Sequence, residues 1–313
     1  MAIPNRLREL VSSAQQPQDV VQDAMIWRPT SWARRFARPL EGLLSQDYQA
    51  LITDLERMTE GTKPKKDPRI DRSAVSALCA PEVLGTSGGH IDDTAVVRAF
   101  LTSMIWGYGL VGYGPYRTER ILTRDSAAPD REAIEQLVEI AGIAQSKGGV
   151  AAFDHVATKR RHGIPYLKFL GPAFGTKFLY FLTKASSVPT TPVLDSVVHG
   201  WLQQHVPEAG SFSLSWWDTS SYKRYVDLLH SWVAELSTLD GRALDADDLE
   251  FLMFSDARGQ VPLLAESENV TVESMLDDLG AEADARGGEN DKVGALLVEA
   301  LREWFARHPQ TDV

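Results

Sequence analysis

Gly171-Pro172-Ala173-Phe174-Gly175-Thr176-Lys177 is the stretch on which the reading of this chain turns. Gly175 opens a helix whose buried stripe is Phe174, Phe178, Phe181 and Leu182, which predicts Lys177 in the first turn with its side chain directed away from that stripe. Six basic residues and no acid fall between His155 and Leu194, in a chain whose net formal charge is -11. A protein this acidic repels polyanions, so an acid-free strip marks the surface on which a phosphate backbone is tolerated. An amine partly desolvated beside the positive end of a helix has its charged form disfavoured and becomes a better nucleophile; the alternative is a lysine that only binds a phosphate.

Eighteen positions on stands Thr191-Pro192-Val193-Leu194-Asp195, ahead of an apolar helix from Ser196 to Leu202. Asp195 suits the cap of that helix, and the short Ser/Pro/Thr loop before it predicts a return toward Lys177. A third stretch, Leu249-Glu250-Phe251-Leu252-Met253-Phe254-Ser255-Asp256-Ala257-Arg258, places Glu250 and Phe254 one turn apart on one helical face.

Together these stretches resemble the helix-hairpin-helix DNA glycosylases, in particular the 8-oxoguanine DNA glycosylase branch, whose hairpin reads Leu-Pro-Gly-Val-Gly-Thr-Lys. Pro172, Phe174, Gly175, Thr176 and Lys177 match it in place or in character, while Gly171 stands for the leucine and Ala173 for the first glycine. The late helix typically contains Leu-Phe-Ser-Ala-Asp-Leu-Arg. The resemblance implies an all-α helix-hairpin-helix glycosylase fold of two packed helical lobes. It also implies that Lys177 attacks the sugar C1′ and forms a Schiff base, with Asp195 as partner to the lysine or to the cationic sugar. Phe254 takes the place of the ring that stacks on an extruded base, and Glu250 that of a glutamine reading the base edge. An ionised Glu only accepts hydrogen bonds, so a pocket built on it favours a base with two donors, such as guanine N1–H and N2–H₂, or a cytosine-type amine.

Around this core, helical periodicity dominates: Val20 to Met25, Leu40 to Met58, Thr94 to Gly107, Arg131 to Gln145, Ala151 to Arg160, Tyr222 to Leu236 and Lys292 to Arg307 all read as helices. Trp106 and Tyr108, beside a run of glycines, are expected either to line the base pocket or fill the gap in the base stack, or else to pack in the core around a glycine-permitted helix kink. Arg117 and His199, with the backbone of Gly171, Ala173, Gly175 and Thr176, are expected at phosphates. His199 reads equally as a packing residue. The aromatic-basic run from Trp27 to Arg38 either extends the binding face or is ordinary surface packing of arginines over tryptophans, whereas Trp216 and Trp217 read as structural.

Three regions are expected: residues 1–90, helical with exposed linkers at Thr59 to Arg72 and Pro81 to His90; the glycosylase-like core, 91–262; and an acidic linker with an amphipathic helix, 263–313. The resemblance spans roughly residues 92 to 260. Residues 266 to 291 hold nine acids and one base, and the final helix either folds back or docks a protein partner. One cysteine, Cys79, excludes an internal disulfide and a cysteine-rich zinc or iron–sulfur site, and no stretch is apolar enough to suggest a leader or membrane span. The expectation is a monomeric, cytoplasmic, nucleoid-associated enzyme without cofactor or metal, acting on double-stranded DNA that carries a damaged or modified base. Alternatives are a non-catalytic hairpin module that binds DNA, a glycosylase acting on hypermodified foreign DNA, and a protein scaffold on an old glycosylase fold.

Overall fold

Aspartates start the helices that carry this molecule. Asp71, Asp92, Asp130 and Asp195 each accept a backbone N–H from the first turn of the helix that follows them, at 2.7, 3.0, 2.9 and 3.1 Å. Caps of this kind are worth about 1 kcal/mol each and fix where the chain stops wandering and begins to wind. The protein is described by a computed structural model over residues 1–14, 22–29, 31–32, 69–88, 90–124, 126, 129–240 and 243–259.

The elements in order are α1 (Asn5–Ser13), β1 (Met25–Ile26), β2 (Arg69–Ile70), α2 (Arg72–Leu78), α3 (Pro81–Leu84), α4 (Asp93–Tyr108), α5 (Gly114–Thr123) and α6 (Arg131–Lys147). They continue with α7 (Gly149–Arg161), α8 (Pro172–Lys184), α9 (Ser196–His205), α10 (Thr219–Asp240) and α11 (Ala246–Ala257), with short 3₁₀ turns at Thr86–Gly88 and Pro207–Ala209. The fold is all-α. Among the described residues, its one ribbon is the antiparallel pairing of Met25 with Ile70 and Ile26 with Arg69.

All described residues lie in one compact unit, Met1–Pro262. Its core joins Leu7 and Val11 of α1 and the rings of Trp27 and Trp32 to Phe100 and Met104 of α4, Phe178 and Phe181 of α8, and Trp232 of α10. The hairpin helix α8 packs against α4, α6 and α7, which is why its face is almost wholly apolar. Of the expected helices, Thr94 to Gly107, Arg131 to Gln145, Ala151 to Arg160 and Tyr222 to Leu236 lie within α4, α6, α7 and α10.

Several expectations are corrected. Val20 to Met25 is not a helix where it is described: Met25 belongs to β1, because its partner strand arrives from residue 70. Pro81 to His90 is not an open linker; Pro81 starts α3, Gly85 closes it at φ 77°, and Leu84 is fully buried. Trp27 and Trp32 are core residues and offer no binding face. Trp217 is buried as expected of a structural residue, but Trp216 is 61% exposed. The predicted helices 40–58 and 292–307 and the acidic segment lie outside the described residues.

Candidate active site

Lys177 projects from α8 and Asp195 caps α9, and their side chains meet: Nζ donates to Oδ2 at 3.0 Å, with each side chain only 6% exposed. The contact is built from the loop between the helices. Thr176 Oγ1 donates to the Leu194 carbonyl and accepts the Leu194 N–H, both at 3.3 Å, which ties the residue before Asp195 to the one before Lys177. Thr183 bonds Thr191 at 2.9 Å, and three side chains of α10 hold the same loop by its carbonyls: Tyr222 at Pro192, Tyr225 at Val193 and His230 at Thr190. Tyr222, Tyr225 and Thr183 are positioning residues without a motif of their own. Their spacing on an apolar helical face was the only available signal.

Burial by itself would push the Asp195 carboxyl up. The Lys177 charge, followed by the amides of Val198 and Val197, outweighs it and holds the group below its ordinary range. Asp195 is therefore an ionised, fully occupied acceptor: Oδ1 takes the two amides and Oδ2 the ammonium.

The lysine is not where the hairpin reading puts it. Pro172 is the first residue of α8, so Lys177 falls in the second turn, and it is buried among the stripe residues instead of pointing away from them. The positive backbone angles also lie earlier, at Gly163, Leu167 and Phe169, while Gly171 has an ordinary extended φ of -77°. The tight part of the hairpin thus precedes the motif, and Ala173 sits in a helix, where its Cβ is no obstacle.

What covers the amine is specific. Gly107, in the last turns of α4, comes so close that an added Cβ would stand 2.8 Å from Lys177 Cδ and 3.1 Å from the Phe174 ring. Phe174, half-buried, lies 5.1 Å from Nζ and stacks on Tyr108 with ring centroids 3.9 Å apart. Tyr108 and Trp106 are themselves core residues, Trp106 meeting Phe181 edge to face at 5.0 Å. Both border the lysine's helix, and neither reaches solvent.

Of the residues expected at phosphates, the structure separates two groups. Gly171 at the start of α8 faces open space and Ala173 is partly exposed, as is Arg117, whose guanidinium lies 5.9 Å from the Tyr113 ring. Gly175 and Thr176 are corrected to buried packing positions, while His199 is partly exposed and bonded within the fold. A Cβ on Gly175 would fall 2.3 Å from the Trp217 ring, Thr176 is spent on Leu194, and His199 Nε2 accepts the Phe212 N–H at 3.2 Å.

The face of α11 carries the remaining candidates. Phe254 is partly buried with the Arg258 guanidinium 4.9 Å over its ring. Glu250 is 1% exposed and its Oε2 accepts from Arg72 Nη2 at 2.8 Å, a partner that sequence reading missed entirely. Burial raises the Glu250 carboxyl to about 7, against the opposing pull of Arg72. Asp195 contributes to that rise, so the Lys177–Asp195 and Arg72–Glu250 pairs feel each other across one interior region.

Residues 18–254 match the family described as "Putative 8-oxoguanine DNA glycosylase OGG-like protein". The chain belongs to that family. The match takes in α8, Asp195, Glu250 and Phe254 together, and it reaches back well beyond residue 92, to include β1, β2 and Arg72. Neither a curated protein nor a solved structure matches the chain. Among the described residues no group of His, Cys, Asp and Glu is placed to hold a metal ion, and no helix is long and apolar enough to cross a membrane.

Proposed function

We propose that this protein is a DNA glycosylase that removes a modified purine, of the 8-oxoguanine type, through a covalent lysine intermediate. The observation that carries the reading is the buried 3.0 Å contact between Lys177 Nζ and Asp195 Oδ2, in a chain of a family described by that activity. In the reading, Asp195 accepts a proton from the Lys177 ammonium and the freed amine attacks C1′. The bond from C1′ to the base nitrogen breaks, its electron pair leaves with the base, and the base is protonated from solvent. The nitrogen then loses a proton and its lone pair breaks the C1′–O4′ bond, O4′ leaving as a hydroxyl protonated from Asp195 or solvent, which gives a Schiff base at C1′; loss of a C2′ proton then expels the 3′-phosphate by β-elimination and cleaves the strand. The low-dielectric surroundings make the lysine–carboxylate pair more effective than the same pair in water.

Reaching the sugar requires a rearrangement. Phe174 is a partly exposed side chain of the cover, and in this reading its movement off Tyr108 uncovers the amine. The extruded base then enters toward Phe254 and Glu250, and Gly171, Ala173 and Arg117 receive backbone phosphates of the duplex.

The test is covalent capture. Duplexes carrying modified bases are incubated with the protein and borohydride, and an adduct is expected with the wild type. Lys177→Gln should lose the adduct and keep DNA binding. Binding without any adduct in the wild type would establish a non-catalytic module instead.

A further inference from the structure

Arg72 is the first residue of α2, an unfavourable place for a cation because the positive end of the helix lies there. It is nonetheless drawn inside. The β1–β2 ribbon, with Met25 opposite Ile70, brings the chain before β1 alongside the chain after β2, and so sets Gln22 beside Arg72. Arg72 Nε donates to Gln22 Oε1 at 2.9 Å and Nη2 donates to Glu250 Oε2 at 2.8 Å. The flat guanidinium also lies over the rings of Tyr180 at 4.9 Å, Trp106 at 5.2 Å and Phe251 at 6.0 Å.

Burying such a pair gains little stability over apolar packing, so stability alone is a weak reason for it. Its geometry gives a better one. Nε–H and Nη2–H are two donors on one edge of a planar, delocalised group, received by two fixed oxygens beneath aromatic rings. Guanine carries the same N–C–N fragment along its Watson–Crick edge, with N1–H and N2–H₂ as the donor pair. A second observation points the same way: among the described residues Trp106 Nε1 is buried without a hydrogen-bond partner, a donor at the border of this site. A buried N–H left unmade is costly, and a guanine-derived base brings carbonyl acceptors that arginine lacks.

We propose that Arg72 is a resident stand-in for the base: its guanidinium occupies the subsite of Gln22, Glu250 and Trp106, and a purine bearing an N1–H and a 2-amino group displaces it. Arg72 is thereby a specificity-determining residue, since only a base that reproduces its donor pair compensates Glu250 for the lost partner. This rests on the glycosylase reading for the identity of the occupant, but not for the existence of the subsite.

The experiment uses the full chain in two arms. In Arg72→Ala, or in Arg72→Gln should the first variant not fold, guanidinium ion is titrated by calorimetry. It should bind at least about tenfold tighter than to wild type, as expected of a site built around those hydrogen bonds. Isocytosine, which has the same amide N–H and amino pair, should displace it, and uracil should not. In the second arm, wild-type protein is trapped with borohydride on duplexes holding 8-oxoguanine or its analogue without the 2-amino group, and the analogue should react at least roughly tenfold more slowly. A folded variant that binds guanidinium no better than wild type overturns the proposal, as do equal trapping rates on the two duplexes. Absence of trapping on both would defeat the Lys177 reading while leaving the guanidinium arm to decide Arg72.

Discussion

Two buried ion pairs share the interior of this protein, and they differ in how they are made. Lys177 and Asp195 are eighteen residues apart, joined by one loop whose carbonyls are pinned from α10. Arg72 and Glu250 are 178 residues apart and meet because a two-residue ribbon and the packing of α11 bring them together. In the first pair the carboxyl is held below its ordinary range, because two amides and an ammonium overcome burial. In the second the carboxyl rises to about 7, because burial overcomes a single guanidinium contact. The lesson is that burial alone does not set the charge of an acid; the number of donors around it does.

The comparison breaks most visibly at Lys177. Lys177→Gln should reduce base excision by roughly three orders of magnitude or more, measured in single turnover, since among the described residues no other amine is placed at Asp195 to form the covalent intermediate. Asp195→Asn should cost turnover roughly a hundredfold or more while changing DNA affinity by only a few fold. Equal losses in rate and affinity would remove Asp195 from the chemistry.

The stability of the two pairs should separate with pH. Lys177→Met leaves an ionised carboxylate buried and should destabilise by about 3–5 kcal/mol in urea denaturation. Arg72→Met should cost less near pH 6 than near pH 8. The sign follows from the raised Glu250 carboxyl: its contribution is complete below its ordinary value of 4.5 and is lost as the pH climbs through about 7. Without Arg72 that loss extends to higher pH, and a cost that does not change between the two conditions would contradict it. For the same reason, wild-type preference for a 2-amino purine should grow as Glu250 ionises, at a pH above about 7 because the base-bound state lacks the Arg72 contact, and should be flat with pH in Glu250→Gln.

A smaller effect probes the cover. Gly107→Ala pushes against Lys177 Cδ and the Phe174 ring, so it should slow trapping several fold with a stability loss of about 1 kcal/mol or more. The exposed control is Arg6, which reaches Asp256 from α1 with its side chain 42% in solvent. Arg6→Ala should give the smallest change in melting temperature of the series, and should leave trapping unaltered.

Much of the fold and one of the two pairs were legible in the sequence, for a physical reason. Helices declare themselves by apolar period and by Asp caps, both local, and Lys177 and Asp195 are linked by a loop too short to take them far apart. The turn of the lysine, its burial under Phe174, and the inward placement of Thr176 were not legible, and between the two readings of His199 the sequence could not choose. They depend on which helices press on α8 and α9, and on where the Trp217 ring and the Phe212 amide arrive. Arg72 was least legible of all: a cation at the start of a short helix reads as solvated surface, and only the ribbon that carries Gln22 beside it and the packing of α11 turn it inward. The sequence by itself determined the longer apolar helices, the Asp195 cap and the hairpin-to-aspartate spacing; the tertiary structure decided which polar groups lose their water, because desolvation is a property of everything that surrounds a residue and of nothing in its own neighbourhood along the chain.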